Sequence, residues 1–129
     1  MGYGAFLKVV NNRSGAISSF VTGVDCMYDN GDQGSNLSLF NNANIAGNAS
    51  LPANGGQYIE AKASGSCFFR PSTFSLKIEN ADNHDIIGQV DFSESENNWS
   101  CTNNDNKDVL DVYLNNNDQA HIQLTVEAT

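Results

Sequence analysis

The chain has 129 residues, of which 40% are hydrophobic and only 16% charged, a composition that fits one globular domain and excludes a disordered acidic tail. Six Lys and Arg residues against fifteen Asp and Glu give a net charge of −9, which argues against nucleic acid and anionic lipid as partners, because basic side chains bind both. A membrane partner would have to present a neutral or zwitterionic headgroup, or a sugar.

No apolar run approaches the length of a membrane span. The first residues also lack the basic and apolar regions of a signal peptide. The sequence therefore predicts a soluble protein with no signal peptide and no transmembrane segment. Its localisation stays open, with release by a non-classical route as one alternative.

Short segments in which apolar and polar residues alternate recur along the chain, bounded by Gly, Asn, Asp or Pro. The clearest is 73–79, where Phe74, Leu76 and Ile78 share one face, as a half-buried strand requires. Helical periodicity is nearly absent. In chain order, the predicted strands are 5–10, 17–24, 37–40, 57–63, 66–69, 73–79, 86–92, 109–114 and 120–126.

The last two predicted strands are joined by an asparagine-rich connector of hairpin length, which predicts that they pair. Gly88, inside 86–92, predicts a bulge or a close backbone approach. About nine short strands at nearly regular spacing predict an all-β fold, specifically a single-domain antiparallel β-sandwich over residues 1–129. In the hairpin, Leu110, Val112 and Leu114 are expected to face Ile122, Leu124 and Val126.

Enzymatic motifs are absent from the sequence, and we expect a non-enzymatic protein. His84, in a turn, and His121, on the polar face of the last strand, are expected to be solvated, as are Glu94 and Glu96. The three cysteines show no zinc or redox spacing and leave an odd thiol, so a disulfide framework is not expected.

Two segments cluster hard oxygen ligands with features of a tight turn, namely 29–36 (DNGDQGSN) and 103–108 (NNDNKD). Such clusters are typical of calcium sites, although Gly31 stands where the EF-hand spacing needs a ligand. No other cofactor is expected. Turn-forming Asn and Asp are the preferred explanation of these residues, and calcium stays open as the alternative.

Trp99 is the only tryptophan and lies in a tract of Asn, Ser and acidic residues, SESENNWSCTNNDN. It is either folded back onto the body of the protein or an exposed platform for a ligand. Tyr58 and Tyr113 lie opposite the aliphatic rows of their strands, which also favours exposure. Exposed rings flanked by amides are typical of sugar sites and also suit a membrane interface. The predicted site is therefore Trp99, Asn97, Asn98 and Tyr113, with Tyr28, Asp29 and Asp32 as a second loop at the same end.

Four segments between residues 2 and 99 read GYGAFLKVVNNRSG, GDQGSNLSL, GQYIEAKASG and STFSLKIENADNHDIIGQVDFSESENNW. Through these segments, which span most of the chain, the sequence resembles the aegerolysins. It implies a small, acidic, leaderless β-sandwich that binds particular membrane lipids, in some members together with a larger pore-forming partner. The chain departs from the family at 93–96, where a tryptophan-rich stretch is usual and Ser-Glu-Ser-Glu stands here.

The leading hypothesis is a recognition module that binds a membrane lipid headgroup or a cell-surface glycan, in the manner of a cytolysin. A sugar-binding lectin, with or without calcium, is the nearest alternative. A self-associating structural or storage protein is the second alternative, because low charge density limits repulsion between copies in a homo-oligomer.

Overall fold

The structure, a computed structural model, describes residues 3–128. Residues 1, 2 and 129 lie outside the described part, and so does the expectation about the start of the chain. The fold is all-β, as predicted, with three short 3-10 turns at Asp32–Gly34, Leu37–Phe40 and Gly65–Cys67. The strands are β1 (Gly4–Asn11), β2 (Ile17–Asp25), β3 (Ala43–Ile45), β4 (Ser50–Leu51), β5 (Gln57–Glu60), β6 (Ser72–Asn80), β7 (Ile86–Ser95), β8 (Asn98–Asn104), β9 (Leu110–Asn115) and β10 (Ala120–Val126).

The strands form two five-stranded sheets in a sandwich-like arrangement. Sheet A has the order β4-β1-β10-β9, with β5 also paired to β1, and sheet B has the order β3-β2-β6-β7-β8. Strands β1 and β10 run parallel, whereas the other pairings between named strands are antiparallel. The predicted wholly antiparallel sandwich of about nine strands is thus wrong in two respects: sheet A is mixed, and the described residues form ten strands. A parallel pair needs a long crossover, and here the rest of the chain supplies it.

Two predicted strands are 3-10 turns, and three observed strands were not predicted. In Leu37–Phe40 the structure buries Leu37 and Phe40, three residues apart, rather than alternate residues. Strand β8 was missed because Trp99 is its only buried residue. As an edge strand, β8 pairs with β7 alone and needs no apolar face.

The predicted hairpin is confirmed in its register. Leu114 pairs with Ile122, Val112 with Leu124, and Leu110 with Val126. The alternation of apolar residues was sufficient here because one face of each strand is buried, and a slip by one residue would expose it.

The prediction at Gly88 is also confirmed. The register of β6 against β7 shifts beside it, between Ile78 and Glu79. A Cβ atom at Gly88 would lie 2.7 Å from Asp105 Oδ1 and 2.8 Å from Leu110 Cδ1. A larger residue would therefore collide with the loop that follows β8.

Both sheets bury their inner faces in one hydrophobic core. Its largest side chain is Trp99, whose ring meets Phe74 edge-on at a centroid distance of 5.6 Å, while Phe74 stacks on Phe92 at 5.1 Å. These three rings belong to neighbouring strands of sheet B and fill the space in front of sheet A. Contacts of this kind add about 0.5–1.5 kcal/mol per pair beyond the area they bury.

Asn116 joins the edges of the two sheets. Its Oδ1 accepts a hydrogen bond from the backbone N–H of Trp99 at 2.8 Å, and its Nδ2 donates to the backbone carbonyl oxygen of Trp99 at 2.9 Å. The backbone oxygen of Asn116 accepts a third bond from the Tyr3 hydroxyl at 3.1 Å. The side-chain amide thereby takes the place of a neighbouring strand beside β8 and holds Trp99 in the core.

Cys26 and Cys67 form a disulfide, with 5.6 Å between their Cα atoms, a pairing that the sequence left open. The two residues are 41 apart in sequence, and tertiary structure brings them together: Met27 bridges to Ala61, and the Lys62 N–H donates to the Cys26 carbonyl oxygen at 2.8 Å. Cys101 is the free, exposed thiol.

Candidate functional site at a disulfide-anchored edge

Trp99 is only 2% exposed, which excludes the alternative of an exposed stacking platform. Its ring lies between the sheets, and its Nε1 has no hydrogen-bond partner within residues 3–128. The sequence left both alternatives open because β8 is otherwise polar. Trp99 on β8 pairs with Glu94 on β7, and this pairing determines the face of sheet B on which the Trp99 side chain lies. No local sequence pattern specifies that pairing.

Asn97 and Asn98 belong to the β7–β8 hairpin. Glu96 and Asn97 form its two-residue turn, with φ values of 53° and 63°, a conformation that Asn tolerates well. The Asn97 N–H donates to Glu94 Oε2 at 3.0 Å, and Asn98 begins β8 with an exposed side chain. Asn97 is therefore both a turn residue and part of the surface at this end of the molecule.

Tyr113 lies on a different surface from Trp99 and Asn97. It is 58% exposed, on the outer face of sheet A, so its predicted exposure is confirmed. Tyr58 shares that face but is half-buried. The four residues predicted as one site are thus distributed over the core, a hairpin turn and a sheet face, and the structure does not bring them together.

The second predicted loop is held by its own hydrogen bonds. Asp29 Oδ1 accepts from the backbone N–H groups of Asn30 and Ser38, both at 2.8 Å. Asp32 begins a 3-10 turn and is exposed, while Tyr28 is half-buried under the Lys62 ammonium, 5.7 Å from the ring centroid. Asp29 thus has the turn-forming role that the sequence analysis gave as the alternative to a calcium ligand.

Within residues 3–128, no group of three or more His, Cys, Asp or Glu side chains is arranged to hold a metal ion. In the second candidate calcium segment, Asp105 Oδ1 accepts the Gln89 N–H at 2.8 Å. Carboxylates from both segments therefore act as acceptors for backbone N–H groups, which is a common structural use of Asp in loops.

Phe68 and Phe69 form an exposed aromatic pair that the sequence reading missed. They are 61% and 93% exposed, and their ring centroids lie 4.1 Å apart. We call residues 67–71 the phenylalanine loop. The sequence predicted a strand over 66–69. The signal for an exposed loop was the Phe-Phe pair directly before Arg-Pro, because Arg is polar and Pro favours a turn.

The phenylalanine loop is fixed at both ends. Cys67 carries the disulfide, and the Arg70 guanidinium donates to Asp25 Oδ2 at 2.6 Å. Phe69 has a φ of 69°, a left-handed conformation that is uncommon for a bulky residue. Such a conformation costs about 1–3 kcal/mol and persists only where the surroundings enforce it, which makes the loop a candidate for function.

A cavity of about 350 Å³ lies beside the two phenylalanines. Its walls carry both signs of charge, from Arg70, Glu94 and Glu96, and it is also lined by Tyr3 and Asn97. It is open to ligands at the surface and combines apolar rings with charged and amide groups, as small-ligand sites commonly do.

Glu94, expected to be solvated, is only 7% exposed. Burial raises the pKa of its carboxyl group above the ordinary value, and the hydrogen bond from the Asn97 N–H opposes part of that rise. Burial also raises the pKa of Tyr3, with smaller contributions from the charges of Asp118 and Glu94. The cavity is thus a partly desolvated place for an ionisable group.

The chain matches none of the protein-family models with which it was compared, and no curated protein matches it significantly. Within the described residues, no helix is long and apolar enough to cross a bilayer.

Proposed function

We propose that this protein is a non-enzymatic recognition module that docks on a membrane surface through the phenylalanine loop and binds a lipid with a zwitterionic headgroup. One observation carries the proposal: two adjacent phenylalanines are exposed on a loop that a disulfide and an ion pair hold in place. A membrane interface is an environment in which such rings gain from leaving water.

Exposure of the two phenylalanine rings to water costs free energy. Full burial of a phenylalanine side chain is worth about 1.5–3 kcal/mol, and the folded chain forgoes most of this at Phe69. Insertion into the interface would recover that free energy. Because the loop is already held in place, little conformational entropy would be lost on docking.

Charge selects the headgroup. The net charge of −9 repels an anionic surface. The cavity beside the loop offers the Arg70 guanidinium to a phosphate and the carboxylates of Glu94 and Glu96 to an ammonium group. Phosphocholine and phosphoethanolamine carry that pair of charges, whereas a phosphoserine headgroup adds a carboxylate that Glu94 and Glu96 would repel.

Binding to lipid vesicles tests the proposal. Vesicles of phosphatidylcholine and sphingomyelin should bind the protein in a flotation assay, and vesicles rich in phosphatidylserine should bind less. The double variant Phe68→Ser/Phe69→Ser should lose at least about tenfold in affinity, the equivalent of one buried phenylalanine. Phe20→Ser, which removes a ring from the outer face of sheet B, is the matched control and should bind as the parent does.

Equal binding of the parent and the double variant would remove the phenylalanine loop from the function. Parallel samples with and without EDTA report on a calcium requirement. Dye release from the same vesicles, alone and with a candidate larger partner, tests the cytolysin-like extension that the resemblance implies.

The self-associating alternative uses the same exposed rings, since a second copy would also cover them. Sedimentation without vesicles separates the two. An oligomer that grows with concentration and that Phe68→Ser/Phe69→Ser dissociates would assign the rings to self-association. A monomer at all concentrations favours the membrane.

A further inference from the structure

The outer face of sheet A carries four rings, whereas the outer face of sheet B is mainly polar apart from Phe20. In sheet B, Asp91 accepts hydrogen bonds from the side chains of Ser75 and Gln89 at 2.6 and 2.9 Å. In sheet A, the directly paired residues Tyr58, Phe6 and His121 cross β5, β1 and β10 in one row, and Lys8, Gln123 and Tyr113 form the next row across β1, β10 and β9. We call these six residues the aromatic face.

The rings of the first row are held against one another. Phe6 stacks on His121 with 5.5 Å between centroids and 20° between planes, and it meets Tyr58 at 5.5 Å and 60°. The Tyr58 hydroxyl donates to Glu60 Oε1 at 2.5 Å, and burial with this bond raises the pKa of Tyr58 to about 12. Tyr58 therefore supports the first row at one end, and His121 is exposed at the other end. Tyr113, in the second row, is exposed as well.

A groove of about 560 Å³ runs over this face, within the range of about 300–1,000 Å³ that is usual for small-ligand sites. Phe6, His121 and Tyr113 contribute rings to it, and the loop before β5 forms one wall through Gly55 and Gly56. A Cβ atom at Gly56 would lie 3.0 Å from Phe6 Cβ and 3.3 Å from the Phe6 carbonyl carbon. Glycine thus lets the loop backbone approach Phe6 closely, and the wall carries no side chain that would fill the groove.

The charge of the groove is opposite to that of the protein. Among the described residues that line it are Lys8 and His121 but no Asp or Glu, in a chain of net charge −9. An apolar partner would bury the Lys8 ammonium and the Gln123 amide without partners, which is costly. A ligand for this groove needs an apolar face for the rings together with hydroxyl and anionic groups at its border.

We propose that the aromatic face binds a short saccharide that carries a carboxylate, such as a sialylated or uronic acid glycan. The pyranose ring stacks on Tyr113 and His121, the Gln123 amide bonds to hydroxyl groups, and the Lys8 ammonium pairs with the carboxylate. This site uses no residue of the phenylalanine loop, so it is independent of the proposed membrane function.

The test is a titration of the protein with 3′-sialyllactose, and with lactose as the neutral sugar. Saturation-transfer NMR detects binding, and calorimetry measures the affinity. Sialyllactose should bind more tightly than lactose, and the difference should shrink with added salt. Tyr113→Ser should weaken binding of sialyllactose roughly 2- to 13-fold, the range for an aromatic contact. Lys8→Gln should weaken it roughly 1.4- to 5-fold and abolish the preference over lactose.

Lys77→Gln is the matched control, because Lys77 also lies beside an aromatic ring, 5.1 Å from the centroid of Phe20, on the opposite outer face. It changes the net charge as Lys8→Gln does and should leave sugar binding unchanged. Phe68→Ser/Phe69→Ser should also leave it unchanged, so the membrane proposal and this proposal can fail separately.

The proposal is overturned if sialyllactose shows no saturation transfer at millimolar concentration. It is also overturned if lactose binds equally well, or if Tyr113→Ser has no effect. A dimer in solution that Tyr113→Ser dissociates would assign the groove to a second copy of the chain and equally overturn it.

Discussion

Glu94 shows how one residue acquires unusual chemistry from its position. It is buried opposite Ser72 and Trp99 in sheet B, yet it reaches the cavity of the phenylalanine loop. Its neighbours in that cavity include Arg70, Glu96 and Tyr3. An ionised carboxylate in such a place costs stability, and the single N–H bond from the hairpin turn offsets only part of the cost.

A raised pKa makes the contribution of Glu94 to stability depend on pH with a definite sign. The native state holds this proton more tightly than the unfolded chain, whose value is near 4.5. The contribution is therefore fully present below the unfolded pKa and is lost as pH rises through the folded pKa. Glu94→Gln keeps an acceptor for the Asn97 N–H and does not titrate. The free energy of unfolding of this variant, minus that of the parent, should increase from pH 4 to neutral pH.

Denaturant unfolding at several pH values measures this difference. Glu96→Gln is the control, because it removes the same charge from an exposed position two residues away. A difference for Glu94→Gln that stays flat across the range would contradict the assigned burial of the carboxylate.

At the scale of elements, the phenylalanine loop has little regular structure of its own. A 3-10 turn, the Arg70–Asp25 ion pair and the disulfide hold it, and the ion pair is half-exposed and contributes little. A disulfide that closes a long loop is typically worth about 2–4 kcal/mol. The covalent link is therefore the main restraint on the two rings.

Loss of the disulfide should weaken binding to phosphatidylcholine and sphingomyelin vesicles, because a mobile loop would lose conformational entropy on docking. Cys26→Ser/Cys67→Ser should bind less tightly than the parent, and dithiothreitol should have the same effect on the parent. Cys101→Ser should change nothing. In the Phe68→Ser/Phe69→Ser background, removal of the disulfide should have no further effect, and a further loss there would show that it acts on another part of the molecule.

On the scale of the whole molecule, Trp99 reports on the core that the two sheets share. Its ring packs on Phe74, and Asn116 links its backbone to the connector between β9 and β10. Its environment therefore depends on both sheets at once.

The fluorescence of Trp99 should be that of a buried tryptophan, with little quenching by acrylamide and no further blue shift when vesicles are added. Denaturant should shift the emission to the red in one transition that coincides with the loss of strand signal in circular dichroism, as expected for the predicted single domain. Emission typical of an exposed indole would contradict the packing of Trp99. Two separate transitions would contradict a single domain.

The residues that were predicted well are those whose environment is local. Phe74, Leu76 and Ile78 alternate in β6, and the β9–β10 register follows from the same period, because each strand buries one face. Tyr113 belongs to this group, since its exposure follows from lying opposite the aliphatic row. The candidate site was predicted less well. The residue types of Asn97, Trp99 and Tyr113 suggested one ligand site, but the three side chains face different directions in the fold.

By itself, the sequence determined the all-β class, most of the strands, the final hairpin and the acidic net charge, since these depend on period-two alternation and on composition. Only the tertiary structure decided the parallel pairing of β1 with β10, the Cys26–Cys67 disulfide, the burial of Trp99 and the exposure of Phe68 and Phe69. Each of these features depends on segments that are far apart in the chain. The free energy of their contacts depends on which surfaces meet in the fold, and local sequence patterns do not specify this.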